Sequence, residues 1–168
     1  MMEKGSSTRT IAFSAVMAAL VCVATMLIQV PIPATKGFFN LGDAMVMVAG
    51  LAFGPIVGAI AGGLGSSLAD FLGGWYTWVP FTLIIKGVEG YLVGWINKTL
   101  GQSRGKYAYI IAWFLGGLEM VSGYFLVQVA MYGFSAALVE LPFNFIQMAM
   151  SGIIGVPIYL AIRNRLRL

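Results

Sequence analysis

Lys86 and Glu89 stand three residues apart near the middle of the apolar run 78–95, WVPFTLIIKGVEGYLVGW. The run is long enough to cross a bilayer, and a charge at the centre of a spanning helix costs roughly 2.5–3.5 kcal/mol on insertion scales. Such residues face the interior of a bundle, pair with something, and mark a pathway or a site. At about 100° per residue, Trp78, Thr82, Lys86 and Glu89 fall on one side of the helix, while Ile84, Val88, Tyr91 and Trp95 spread over the rest. Two readings are open for the pair: an ion pair that only pins helices together, and a binding feature.

Two later apolar segments carry polar side chains of their own. Residues 107–134 hold Glu119, Tyr124 and Gln128. Tyr124 and Gln128 share a face and are assigned to a site; Glu119 lies nearly opposite Gln128 and is assigned to an interhelical contact, with Lys86 as an available cation. Residues 138–162 hold Glu140, Asn144, Gln147 and Ser151 on one stripe, the spacing of a cavity wall, with hydrogen bonds between helices as the alternative. Asp70, at the far end of a glycine-rich segment, reads as either a helix-end polar anchor or a site residue, the anchor being the preferred reading. The chemistry on offer is hydrogen bonding and charge toward a small polar ligand, with Trp78 or Tyr124 to stack on a ring. Histidine is absent and Cys22 is the single cysteine, which argues against a zinc site, a disulfide framework or a His-dependent triad and makes Cys22 a small packing residue. No metal and no cofactor is expected.

The elements that must position these residues follow from composition. Of 168 residues, 60 % are apolar and 10 % charged, against roughly 25 % charged in an ordinary soluble domain. The expectation is an all-α integral membrane protein, a single membrane domain without room for a fused ATPase or receptor. Helices are expected at about 11–30, 43–54, 56–72, 79–97, 107–133 and 138–162, a compact bundle of six transmembrane helices. The first apolar run is longer than a signal-peptide core and is followed by more spans, so it reads as an uncleaved helix. PIPATKGFFNLG at 31–42 has two prolines and two glycines and reads as a loop placed to act as a lid. Asp43 is then the N-cap of a short second helix. Glycines 58, 62, 63 and 65 allow close helix packing, and GQSRGK at 101–106 lacks the spacing of a phosphate-binding loop.

The net charge of +4 reads as a topology signal rather than as affinity for nucleic acid. With six helices, Lys4, Arg9, Lys98, Arg104, Lys106, Arg163, Arg165 and Arg167 fall on one side, which places both termini in the cytoplasm. Lys86 lies seven residues from Val79 and Gln147 seven from Glu140, so each sits about 10 Å below the outer end of its helix. Polar stripes at equal depth suggest a pocket open to the outside.

Several of these stretches resemble one family. FFNLGDAMVMVAGLAFGPIVGAIAGGLGSSLADFLGG, PFTLIIKGVEGYLVGW, GYF at 123–125 and the pair Ala15 and Ala19 are similar to the substrate-binding S components of energy-coupling-factor (ECF) vitamin transporters, over nearly the whole chain. The resemblance implies a multi-pass protein of a prokaryotic plasma membrane that captures a vitamin or precursor from outside and is not an enzyme. It implies as partners a transmembrane scaffold subunit (EcfT), two ABC-type ATPase subunits and membrane lipid. Ala15 and Ala19 become candidates for the scaffold-docking surface. Asn40, Trp78, Thr82, Lys86, Glu89, Tyr124, Gln128, Asn144 and Gln147 become candidate substrate-binding residues. FNLGDA and IIKGVEG are closest to a branch associated with small aromatic heterocycles, vitamin B6 forms or the hydroxymethylpyrimidine precursor of thiamine, with riboflavin also open. With topology and resemblance together, Lys86 and Glu89 lean toward binding. Against this stand a channel or scaffold whose charges are structural, and a small membrane enzyme using Glu89, Glu119 or Asp70 as acid or base.

Overall fold

The apolar segments fold as helices in the computed structural model, which describes residues 4–104 and 107–166. In chain order the elements are α1 (Lys4–Leu27), β1 (Gln29–Ile32), β2 (Gly37–Asn40), α2 (Asp43–Phe53), α3 (Pro55–Leu72), α4 (Val79–Arg104), α5 (Ala108–Tyr132) and α6 (Phe134–Leu166). Five helices, all but α2, are long and apolar enough to cross a membrane. With 11 residues, α2 rises about 16 Å, roughly half of a 30 Å hydrocarbon core.

The chain is helical as expected apart from one short hairpin, and the expectation of a loop at 31–42 is corrected by β1 and β2. They pair antiparallel, Gln29 opposite Asn40 and Ile32 opposite Gly37. Pro31 is tolerated because each strand of a two-stranded ribbon has an unpaired edge where no N–H is needed. The ribbon also ends α1 at Leu27 rather than near residue 30. At the other boundaries, α1 starts at Lys4 rather than residue 11, and α4 continues to Arg104 rather than stopping at 97. The polar run after Trp95 contains no proline, so nothing breaks the hydrogen-bond ladder. α6 starts at Phe134 rather than 138, directly after Gly133 at φ 87°, and runs through Pro142 and Pro157. Lys106 and Arg167, two of the residues used to read orientation, lie outside the described residues.

Glycine sets the spacing of the bundle where α3 crosses α4. A Cβ on Gly58 would collide with the Gly90 carbonyl, and one on Gly62 with the Lys86 carbonyl. The two backbones therefore lie in direct contact, as small residues permit. Lys86 is consequently fixed in position by its own main chain. Thr10 of α1, Arg163 of α6, the α2–α3 turn and Lys98 line one cleft, so both ends of the described chain lie at one end of the bundle. The hairpin, which follows the opposite end of α1, lies at the other. Gly58→Ala is expected to destabilise the protein by about 1–3 kcal/mol through overpacking. Gly101→Ala, at an α4 position with open space around it, is expected to be neutral or to stabilise by about 0.5–1 kcal/mol. Thermal unfolding of both variants in detergent, followed by circular dichroism, checks the contrast.

Candidate functional site

The site is built around the Lys86 ammonium. Lys86, Asp43 and Glu89 are 2 %, 1 % and 0 % exposed. Lys86 Nζ donates to Asp43 Oδ1 and, at 3.0 Å, to Glu89 Oε2. The other Asp43 oxygen accepts from Gln147 Nε2 at 3.0 Å, and Gln147 Oε1 accepts from the Asn40 N–H at 2.9 Å. Asn40 Oδ1 in turn accepts from the Gly42 N–H at 2.9 Å. One hydrogen-bonded chain thus joins α4, α2, α6 and β2 at the depth of the buried charge.

Above this chain lies a cavity of about 30 Å³. Its walls are polar and come from every side. α3 contributes Ser66 and Asp70, α4 contributes Thr82 and Lys86, and α6 contributes Glu140, Asn144 and Gln147. The hairpin closes it with Gly37, Phe38 and Asn40. Trp78 and Tyr124 form an aromatic side, ring centroids 5.8 Å apart. The Tyr124 hydroxyl donates to Thr82 Oγ1 at 3.1 Å, and Lys86 Nζ lies 5.4 Å from the Tyr124 ring centroid. Four hydrogen bonds hold the hairpin down: Asn40 on Gln147, the Thr35 hydroxyl donating to Glu140 Oε2, Trp78 Nε1 donating to the Lys36 carbonyl at 2.9 Å, and Trp75 Nε1 donating to Gln29 Oε1 at 3.3 Å.

Seven of the nine substrate-binding candidates line this cavity: Asn40, Trp78, Thr82, Lys86, Tyr124, Asn144 and Gln147. The other two do not. Glu89 sits behind Lys86 as its ion-pair partner, and Gln128 is fully buried beside Glu140 on the α5 side. Ala15 and Ala19 are on the outward face of α1, away from the cavity. Ser151, the last member of the α6 stripe, donates to the Met148 carbonyl of its own helix at 2.7 Å.

Three assignments from the sequence are corrected here. Asp43 does not cap α2; Gly42 holds the cap position without a side-chain bond, and the Asp43 carboxylate turns inward to Lys86 and Gln147. Asp70 is no anchor at a membrane surface but is 2 % exposed in the cavity wall. Glu119 lies within electrostatic reach of Lys86 yet forms no ion pair among the described residues, because Asp43 and Glu89 occupy the ammonium. A signal for Asp70 was available: Ser66 and Asp70 are four apart, hence on one helical face.

A family model described as ECF-type riboflavin transporter, S component, matches residues 5–164. The chain is an ECF-type S component. Among its relatives, an uncharacterized protein in gap 3'region of Pyrococcus woesei is 47 % identical, covering 80 % of this chain and 87 % of its own. The thiamine precursor transporter HmpT of Lactococcus lactis subsp. cremoris is 34 % identical over 79 % of this chain and 75 % of its own. A UPF0397 protein of Streptococcus sanguinis is 30 % identical over 71 % and 74 %. This S component is accordingly a substrate-binding subunit of vitamin or precursor uptake, a multi-pass protein of a prokaryotic plasma membrane, and not an enzyme.

The charge arrangement of this S component makes a stability prediction. Lys86→Met leaves two buried carboxylates without their cation and is expected to destabilise by about 3–5 kcal/mol. Adding Asp43→Asn and Glu89→Gln is expected to recover most of that loss, read as melting temperature in detergent. A triple variant no more stable than Lys86→Met alone would reject unpaired charge as the cause.

Proposed function

We propose that this S component captures a small aromatic heterocycle at the hairpin end of the bundle, with hydroxymethylpyrimidine or a vitamin B6 form preferred over riboflavin. The observation that carries the reading is the pairing of unused donors and acceptors in the cavity wall. Among the described residues, Asp70 Oδ2 and Asn144 Nδ2 are buried without a hydrogen-bond partner. A buried polar group left unmatched is costly, and a ligand that matches it gains the corresponding selectivity. A ring carrying amino or hydroxyl substituents supplies the partners, and Trp78 and Tyr124 supply the stacking surface. The HmpT relative supports the pyrimidine in particular.

In this reading Asn40, Trp78, Thr82, Lys86, Tyr124, Asn144 and Gln147 bind substrate, joined by Asp70 and Glu140. Glu89 and Gln128 act from behind, Glu89 by holding Lys86. Both termini are cytoplasmic, which puts the basic end inside and the hairpin outside. The chain then crosses six times, the second crossing completed by the hairpin and α2 together. Release inward depends on a transmembrane scaffold subunit and two ATPases, with the exposed Ala15 and Ala19 of α1 as the surface where the scaffold approaches closely.

Mass spectrometry of the compound retained by purified protein, followed by tryptophan-fluorescence titration, tests the substrate. Asn144→Ala and Asp70→Asn are each expected to weaken binding at least tenfold, about 1.4 kcal/mol, while the protein stays folded. Tight riboflavin binding with no response to either heterocycle would overturn the substrate assignment. Failure of all three ligands together with ion conductance in liposomes would favour the channel reading. Separately, Ala15→Trp with Ala19→Trp is expected to abolish co-purification of the scaffold subunit while leaving ligand affinity unchanged.

A further inference from the structure

The largest cavity described lies far from this site. It is a cleft of about 720 Å³ at the end of the bundle that carries both chain ends, between α1, the α2–α3 turn, α4 and α6. Its lining divides by chemistry. Leu51, Phe53, Ile56 and Val57 form an apolar floor, whereas Asn97, Lys98, Tyr159 and Arg163 form a polar rim with two positive charges and no carboxylate. Lys98 and Arg163 are both exposed, and neither has an ion-pair partner among the described residues. The rim is nevertheless ordered from below. Asn97 Nδ2 donates to the Leu51 carbonyl at 3.0 Å and to the Tyr159 hydroxyl at 3.4 Å, tying α4 to α2 and α6 and leaving the phenol hydrogen available to donate.

The shape of the turn keeps this cleft open. Gly54 adopts φ 88°, a Cβ on Gly94 would overlap the Gly54–Pro55 main chain, and α2 ends where α3 begins. The α2–α3 turn therefore presses on α4, and the space lies beside it rather than being filled by it. A soluble anion would use the rim and leave the apolar floor idle. A molecule with a phosphate joined to hydrocarbon uses both. Basic pockets between transmembrane helices at the level of the headgroups are suited to anionic lipid, and the arginine fork adds paired hydrogen bonds to phosphate oxygens.

We propose that this cleft is a binding site for one anionic phospholipid, its headgroup phosphate held by Lys98 and Arg163 and its glycerol and first methylenes resting on Leu51, Phe53, Ile56 and Val57. The inference is independent of which heterocycle the other site takes and of which side of the membrane this end faces, since headgroups flank both.

The test is native mass spectrometry of the full-length protein in detergent with added phosphatidylglycerol or with phosphatidylcholine of the same acyl chains. One phosphatidylglycerol per chain is expected to be retained, with at least fivefold higher occupancy than phosphatidylcholine. Lys98→Ala with Arg163→Ala is expected to erase that preference, Lys98→Arg with Arg163→Lys to keep most of it, and Arg9→Ala, an exposed charge that does not line the cleft, to leave it unchanged. Equal retention of the two lipids by the unmodified protein would overturn the proposal without relying on any variant. So would an undiminished preference in the double alanine variant, or displacement of phosphatidylglycerol by millimolar inorganic phosphate, which would assign the rim to a soluble anion.

Discussion

An ammonium group at membrane depth must be surrounded by acceptors, and that requirement organises this protein. Lys86 has Asp43 on one side and Glu89 on the other. Glu89 is supplied by the same helix three residues on, but Asp43 is the first residue of α2. The position of Lys86 therefore dictates where α2 begins, and α2 is 11 residues long. The shortness of α2, bounded by the hairpin before it and Gly54-Pro55 after it, agrees with the partner it brings to Lys86.

In the proposed six-span topology the chain between α1 and α2 carries non-helical backbone through membrane depth, which is tolerated only where it is enclosed by protein and its polar groups are matched. The hairpin's polar groups are matched at its inner end, while Val30 and Pro31 of β1 are exposed. Its strands pair with each other, and its innermost residue, Asn40, is satisfied by Gln147 and in turn satisfies Gly42. The glycine contact between α3 and α4 serves the same end from the opposite direction. Because Gly62 packs on the Lys86 carbonyl, α3 comes close enough for Ser66 and Asp70 to share a cavity with Thr82 and Lys86.

How much of this was legible in the sequence depended on whether a residue had company. Lys86, Asn144 and Gln147 stood out because helical periodicity put them on stripes with other polar residues, and all three line the cavity. Asp43 and Asp70 each sit at the end of an apolar helix, where a carboxylate has an equally good local explanation as a cap or an anchor. Only the third dimension, which brings Lys86 to one and Thr82 to the other, separates the two. Glu119 was misjudged for the converse reason: its distance from Lys86 along the chain gave no hint that Asp43 was nearer. The hairpin was hidden by its prolines and glycines, which mark breaks in helices without saying what replaces them.

In the proposed reading, the dimensions of the cavity bear on which part moves when the ligand enters. About 30 Å³ is room for a water or two, whereas ligand pockets run to about 300 Å³ or more. Of the enclosing elements, α3 and α4 are locked by backbone contact, and α2, α4 and α6 share the Lys86 chain, so displacing any of them would expose buried charge or separate packed glycines. The hairpin is held by Thr35 on Glu140, Asn40 on Gln147, Trp78 on the Lys36 carbonyl and Trp75 on Gln29. Two of these contacts end on side chains that also line the cavity, Glu140 and Gln147. Ligand donors and hairpin donors thus compete for the same acceptors. A ligand that satisfies Glu140 and Gln147 offsets the loss of the hairpin's own hydrogen bonds, whereas one lacking donors would have to break them without replacement. Selectivity for a donor-bearing ring and movement of the hairpin are, on this account, two consequences of one set of hydrogen bonds.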